Sequence, residues 1–248
     1  MSNTLQKPRF GLNSNQLRFL ALALMLLDHM WATVTSGQLW MTCVGRLAFP
    51  IFAFQIAQGY LHTHDWKAYA KRLFWFGVIS EIPFNLMISF YPVFPFHQNV
   101  MFTLLLGLCA IHWLDVAWQI EKPTARWKPL LKALGCILLG GIGLTDYGMM
   151  GVVTVILFWV CTRLPYGWAF QLAGMILLNV VAAEGQTLPL TLGSFTWDMP
   201  LQAFAVLALP LIWLYNGQKG RSSKALQYAA YAFYPVHMLV LALLVMIR

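Results

Sequence analysis

The sequence predicts an all-α protein: a polytopic transmembrane helix bundle of about nine spans that forms a single transmembrane domain over residues 1–248. Of these residues, 60% are hydrophobic and only 10% are charged. The mean hydropathy is +0.66, far above that of a soluble domain. Glycine, proline and charged residues divide the chain into apolar runs close to the 20 residues that cross a bilayer.

The predicted spans follow one another along the whole chain, with no internal repeat and no separate soluble domain. They cover residues 16–36, 39–61, 69–90, 99–119, 129–144, 147–163, 166–183, 199–215 and 226–247. The fifth and sixth are the shortest. A tight polar turn at Asp146-Tyr147-Gly148 separates them.

Loops that contain Lys or Arg alternate with loops that contain neither. Fourteen of the sixteen basic residues lie in alternate loops or in the span ends next to them, leaving only Arg46 deep inside a span and Arg248 at the end. The basic set is Lys7, Arg9, Arg18, Lys67, Lys71, Arg72, Lys122, Arg126, Lys128, Lys132, Arg163, Lys219, Arg221 and Lys224. Because cytoplasmic loops are enriched in Lys and Arg, this alternation predicts a cytoplasmic N-terminus and an external C-terminus.

Several functional classes are disfavoured. The net charge is +8, but the sequence contains no basic stripe interleaved with aromatic residues, the pattern that would predict a nucleic-acid partner. The four cysteines form no C-x-x-C pair, so we expect them to pack in the bundle. The segment His62-Thr-His64-Asp65 is interpreted as a solvated loop, and no metal site is expected.

Ionisable residues inside the spans are the strongest functional signal. Asp28 and His29 interrupt the first span, Arg46 the second and Glu81 the third, with Asn85 one helical turn after Glu81. A charged residue at the centre of a span costs about 2.5–3.5 kcal/mol on insertion scales, which favours a functional reason for keeping it. Counted at 1.5 Å per residue, His29, Arg46 and Glu81 lie at one depth near the midplane. These five residues are the predicted catalytic set.

Asp28 and His29 lie about 100° apart on a helix, so they do not face each other. We expect His29 to be the reactive group and Asp28 to pair with Arg46 or to pack. The alternative is that the charged residues form a salt-bridge cluster that only holds the bundle together.

Polar residues elsewhere suggest binding surfaces. Asn99 and Thr103, and His237 on the last span, are predicted to contact substrate, although His237 also fits an interface histidine. Gln55, Gln58, Gly59 and His62 form a polar stripe that suits either a passage from the cytoplasm to His29 or helix packing. Pro50 and Pro83 are predicted to kink their helices.

Four stretches resemble the TraX family of membrane acetyltransferases, which are associated with N-terminal acetylation of conjugative pilin. They are the run ending in Asp28-His29, the Gly45–Phe54 segment, the Glu81-Ile-Pro83-Phe-Asn85 segment and the Asn99–Gly107 segment. Together they cover residues 15 to 110. Tyr234-Pro-Val-His237 is similar to the final-helix histidine of the wider membrane acyltransferase group.

The resemblance implies acetyl-CoA as acyl donor, a catalytic histidine near His29 and a place in the bacterial inner membrane. The acceptor would be a peptide such as pilin, a small molecule or a glycan; lipid surrounds the protein, and it could form oligomers. In this interpretation Lys67, Lys71 and Arg72 bind the CoA phosphates beside Gln55 and Gln58. Lys219, Arg221 and Lys224 are further candidates for those phosphates. His29 is the general base, and Arg46 or Asn85 stabilises the oxyanion.

Two other classes remain open from the sequence. In a proton-coupled transporter or channel, Asp28, Glu81 and Asp146 would relay protons and Arg46 would be a counter-ion. In a non-catalytic membrane component of a pilus or secretion assembly, these residues would have no chemical role.

Overall fold

The computed structural model describes residues 10–35, 37–193, 195–220 and 223–247, and these residues are mostly helical. The helices are α1 Ser14–Thr33, α2 Leu39–Gly45, α3 Ala48–His62, α4 Trp66–Ser89, α5 Val100–Gln119, α6 Trp127–Ile142, α7 Gly148–Cys161, α8 Gly167–Ile176, α9 Ala208–Trp213 and α10 Lys224–Ile247. A π-helical turn, Leu177–Val181, follows α8, and 3₁₀ turns lie at Pro123–Ala125 and Leu201–Leu207. Lys7, Arg9, Arg221 and Arg248 lie outside the described residues.

Each predicted span overlaps helical structure. Within the described residues, three helical segments are long and apolar enough to cross a membrane: Leu39–His62, Val100–Gln119 and Tyr228–Ile247. Shorter apolar helices lie at Gly148–Cys161, Gly167–Val181 and Leu201–Trp213. The helical membrane fold is thus supported, while the count of nine spans stays a prediction.

The helix of the second predicted span is interrupted earlier than expected. Its helix is interrupted at Arg46 and Leu47, between α2 and α3. Pro50 is the third residue of α3, where a backbone N–H has no partner in the helix and its loss costs little. The break therefore lies at Arg46 and Leu47, before the proline, although Arg46 keeps helical dihedral angles. Pro83 lies inside the continuous helix α4.

A β-hairpin replaces the loop predicted at 184–198. Strands β1 Thr187–Leu192 and β2 Phe195–Pro200 pair antiparallel, with Leu190 opposite Trp197. The eighth predicted span consequently begins as a strand and a 3₁₀ turn, not as a helix. Leucine alternates with threonine and proline in β1. This alternation is the period-two pattern of a strand, which the division into apolar spans does not detect.

The core lies where α1, α3, α5, α7 and α10 meet, and its fully buried side chains include Leu17, Ile51, Leu108, Phe158 and Met238. Asn13 starts α1 through a capping box with Gln16, with hydrogen bonds of 3.0 and 2.9 Å. Helix α1 therefore has a defined start, and Asp28 and His29 lie four turns later beside α2 and α10.

Candidate active site

Two cavities meet inside the bundle. The larger has a volume of about 550 Å³ and the smaller about 200 Å³. Met25, Phe52 and Val100 line both, so a single layer of side chains separates them. The larger is within the size range of small-molecule sites.

The smaller cavity brings together ionisable residues from three parts of the chain. Asp28, His29, Arg46, Asp146 and Tyr147 line it among aliphatic and aromatic side chains. His29, Arg46 and Glu81 were predicted to lie at one depth. The structure brings His29 and Arg46 together on this wall, with Asp28, but Glu81 does not line it. Such a mixture of apolar walls and few convergent polar groups is typical of a small-molecule or active site.

His29 is hydrogen-bonded to His237 on the last helix, with 2.8 Å between His29 Nδ1 and His237 Nε2. His237 Nδ1 lies 2.8 Å from the Phe233 carbonyl oxygen, so in a neutral ring this nitrogen carries the proton and donates it. His237 Nε2 is then an acceptor, and His29 Nδ1 is the donor. Consequently the lone pair of His29 lies on Nε2, for which the described residues supply no hydrogen-bond partner.

The two histidine rings are nearly parallel, with centroids 5.0 Å apart and an interplanar angle of 16°. His237 is only 6% exposed and lines neither cavity. It therefore orients His29 from behind and does not take the substrate-contacting position expected from the sequence.

Asp28 points to the neighbouring helix. Its Oδ1 accepts a hydrogen bond of 2.7 Å from Thr42 and lies 3.9 Å from Arg46 Nη2. Gly45 makes this approach possible, because a Cβ atom there would lie only 2.5 Å from the Asp28 Cβ. The Gly45-Arg46 pair thus serves two purposes: the glycine admits α1, and the arginine balances its carboxylate.

Tyr147, the residue before α7, lies beside Arg46 on the wall of the smaller cavity. Tyr147 has a left-handed backbone (φ 64°), and its ring stacks on Phe49 at a centroid distance of 3.9 Å. The Nε atom of Arg46 is buried without a protein partner among the described residues. The Arg46 side chain as a whole is 25% exposed and lines the cavity, so it can meet an oxygen that enters there.

The turn before α7 carries two cavity residues, Asp146 and Tyr147, that the predicted catalytic set omitted. Asp146 is fixed through its backbone: its N–H donates to the Gln98 carbonyl at 2.8 Å, and its own carbonyl accepts from the Thr103 hydroxyl. His97 Nε2 lies 3.7 Å from Asp146 Oδ1. This carboxylate raises the pKa of His97, which lies in the loop between α4 and α5. Nothing in the spacing of His97 along the chain indicates this contact.

Glu81, Asn85, Asn99 and Thr103 form the framework around the smaller cavity and do not line it. Glu81 Oε2 accepts a 2.5 Å hydrogen bond from Asn99 Nδ2, while Glu81 Oε1 is buried without a hydrogen-bond partner among the described residues. Asn99 caps α5 as well. Both Asn99 and Thr103 are fully buried. The roles of Glu81 and Asn85 in catalysis, and of Asn99 and Thr103 in substrate binding, stay predictions, because these residues lie off the cavity wall.

The polar stripe of α3 lines the larger cavity, where Gln55, Gln58, Gly59 and His62 all contribute. Of the three predicted phosphate contacts only Arg72 reaches this cavity; Lys67 and Lys71 do not line it. Arg18 and Lys219 supply two further cations from α1 and from the segment before α10. Arg221 lies outside the described residues, as does the side chain of Lys224. No cluster of three metal-ligating side chains occurs in the described ranges.

Comparison with known proteins places this site in a family. The family model described as TraX protein matches residues 13–245, nearly the whole chain. The chain belongs to the TraX family. All the residues of both cavities fall inside the matched region.

Relatives of this TraX-family chain include pilus-related proteins. It is 30% identical to the "Probable fimbrial assembly protein FimC, serogroup H1" of Dichelobacter nodosus over 91% of this chain and 93% of that protein. It is 27% identical to "Protein TraX" of Escherichia coli, over 55% of this chain and 51% of that protein. The match thus spans about half the length of the E. coli protein. No solved structure matches the chain.

Proposed function

We propose that this TraX-family protein is a membrane-embedded acetyltransferase that moves an acetyl group from cytoplasmic acetyl-CoA to an acceptor on the outer side. The observation that carries the proposal is the pairing of two cavities across one layer of side chains. One contains the basic groups Arg18, Arg72 and Lys219, and the other contains His29 with an unpartnered ring nitrogen.

The larger cavity fits the donor. Its cations, Arg18, Arg72 and Lys219, come from three separate parts of the chain and match the phosphates of CoA. The amide stripe of Gln55 and Gln58 suits the peptide-like pantetheine arm, which offers both hydrogen-bond donors and acceptors. The thioester would then lie at the shared wall formed by Met25, Phe52 and Val100.

The smaller cavity fits the transfer step. His29 Nε2 takes a proton from the acceptor amine or hydroxyl, and the freed lone pair attacks the acetyl carbonyl carbon. The new C–N or C–O bond forms, the C–S bond breaks, and the CoA sulfur leaves with the proton held on His29. Arg46, which lines this cavity, stabilises the oxyanion between these events. The relatives suggest a pilus or fimbrial subunit as acceptor.

The donor site predicts a contrast between neighbouring cations. Arg72→Gln is expected to raise the KM for acetyl-CoA about tenfold with little change in kcat, because it removes binding remote from the reacting carbon. Lys71→Gln is the matched control: it removes an equal charge one residue away, from a side chain off the cavity wall. Equal effects of the two substitutions would show that only the general charge of this loop matters.

The proposal includes the nine-span topology in the bacterial inner membrane, with the N-terminus in the cytoplasm. In a cysteine-free background, an impermeant thiol reagent added to intact cells should modify a cysteine at Gln98 or Glu184 and spare one at Lys122. Modification at Lys122 would contradict the topology. The side on which acetyl-CoA enters would then have to be reversed.

A further inference from the structure

We propose that Asp146 is the residue that binds the acceptor, holding a positively charged amine beside His29 before its proton is removed. This inference rests on the proposed acetyl transfer and selects among its acceptors. It gives Asp146, in the turn between α6 and α7, a role different from the proton relay considered from the sequence.

The charges that line the smaller cavity do not balance. Two carboxylates, Asp28 and Asp146, and one guanidinium, Arg46, line it, which leaves a formal charge of −1 while His29 is neutral. Asp28 already has partners, since it accepts from Thr42 at 2.7 Å and lies 3.9 Å from Arg46. The charge that is left for a ligand is therefore mainly that of Asp146.

The Asp146 side chain is open to a ligand. It is 33% exposed, and its nearest ion partner among the described residues is His97 at 3.7 Å, beyond direct hydrogen-bond distance. A carboxylate in this state has acceptor positions for an ammonium group. His97 is the counter-ion that the acceptor replaces.

The turn that carries Asp146 is held rigidly. The Asp146 backbone is bound on both sides, by the Gln98 carbonyl and by the Thr103 hydroxyl, and Tyr147 follows in a fixed left-handed conformation. A side chain on such a turn has few positions open to it, which suits a residue that must place one nitrogen near His29.

The rest of the cavity wall favours an acceptor with an apolar group next to its charged end. Around the polar groups the cavity is lined by apolar side chains, among them Phe49, Phe84 and Met87. An acceptor that fits has a cationic end followed directly by an apolar group, as at the free amino end of an apolar peptide. A charged amine entering these walls loses water and needs an anionic partner, whereas a neutral hydroxyl does not.

The test uses the purified full-length protein in detergent with acetyl-CoA and two probes: a short apolar peptide with a free α-amino group, and the same peptide with a hydroxyl in its place. In Asp146→Asn, the KM for the amine peptide should rise about 10- to 100-fold, as expected when a hydrogen bond to a charged group is lost. The kcat should change by only a few-fold. Affinity for acetyl-CoA and the KM of the hydroxyl peptide should not change.

Asp146→Glu keeps the charge and should keep the preference for the amine, which separates the charge from general damage to the turn. An amine KM that is unchanged in Asp146→Asn, or that rises equally for both peptides, overturns this inference alone. Wild-type protein that acetylates neither peptide overturns the proposed function, and this inference with it.

Discussion

His29→Ala is expected to lower the rate of acetyl transfer by about 10²- to 10⁴-fold, the range contributed by a general base. The substitution removes a ring from the cavity wall without stranding a charge, so the protein should still fold and bind acetyl-CoA. The measurement is transfer of radiolabelled acetyl groups by monodisperse protein in detergent. His64→Ala, in the exposed loop before α4, is the control and should keep the wild-type rate.

His237→Ala should cost less, about 10- to 100-fold, because it removes only the group that orients His29. It leaves the basic nitrogen in place but allows the His29 ring to rotate. A larger loss in His237→Ala than in His29→Ala would reverse the two roles. Wild-type turnover in His29→Ala would contradict the assignment of the base.

Arg46→Ala is expected to abolish detectable transfer and to reduce stability as well. It leaves Asp28 with Thr42 but without its cation, and it removes the charged neighbour of Tyr147, whose ring still stacks on Phe49. The free energy of unfolding should fall by about 1–3 kcal/mol. This is less than for a fully buried pair, because both side chains are partly exposed to the cavity.

Arg46→Lys separates the two effects. It should recover most of the stability, because the charge opposite Asp28 returns, but little of the rate, because an ammonium lacks the planar fork of donors. Thermal unfolding and acetyl transfer measured on the same preparations distinguish the two. Full recovery of the rate by lysine would make Arg46 a simple counter-ion and would contradict its role at the oxyanion.

Parts of this site could be predicted from the sequence for a clear physical reason. Charges inside apolar spans need partners at their own depth, and a count of residues along each helix gives that depth. The count is enough to bring Asp28 and Arg46 together. It also places the stripe beginning at Gln55 on one helical face, which proves to be a cavity wall.

The rest depends on how helices rotate and pack, which depth does not determine. Glu81 was expected beside His29 but faces Asn99, because α4 packs against α5 with that side inward. His29 and His237 are 208 positions apart, and their contact requires α10 to pack on α1. The role of Asp146 depends on a turn whose contacts come from two other segments of the chain.

The central claim is that the acetyl group passes between cavities from one side of the membrane to the other. The most direct test places radiolabelled acetyl-CoA outside sealed proteoliposomes and an impermeant amine peptide inside. Our account predicts labelled peptide in the lumen with wild-type protein and none with His29→Ala. Labelling only when donor and peptide share a compartment would contradict it.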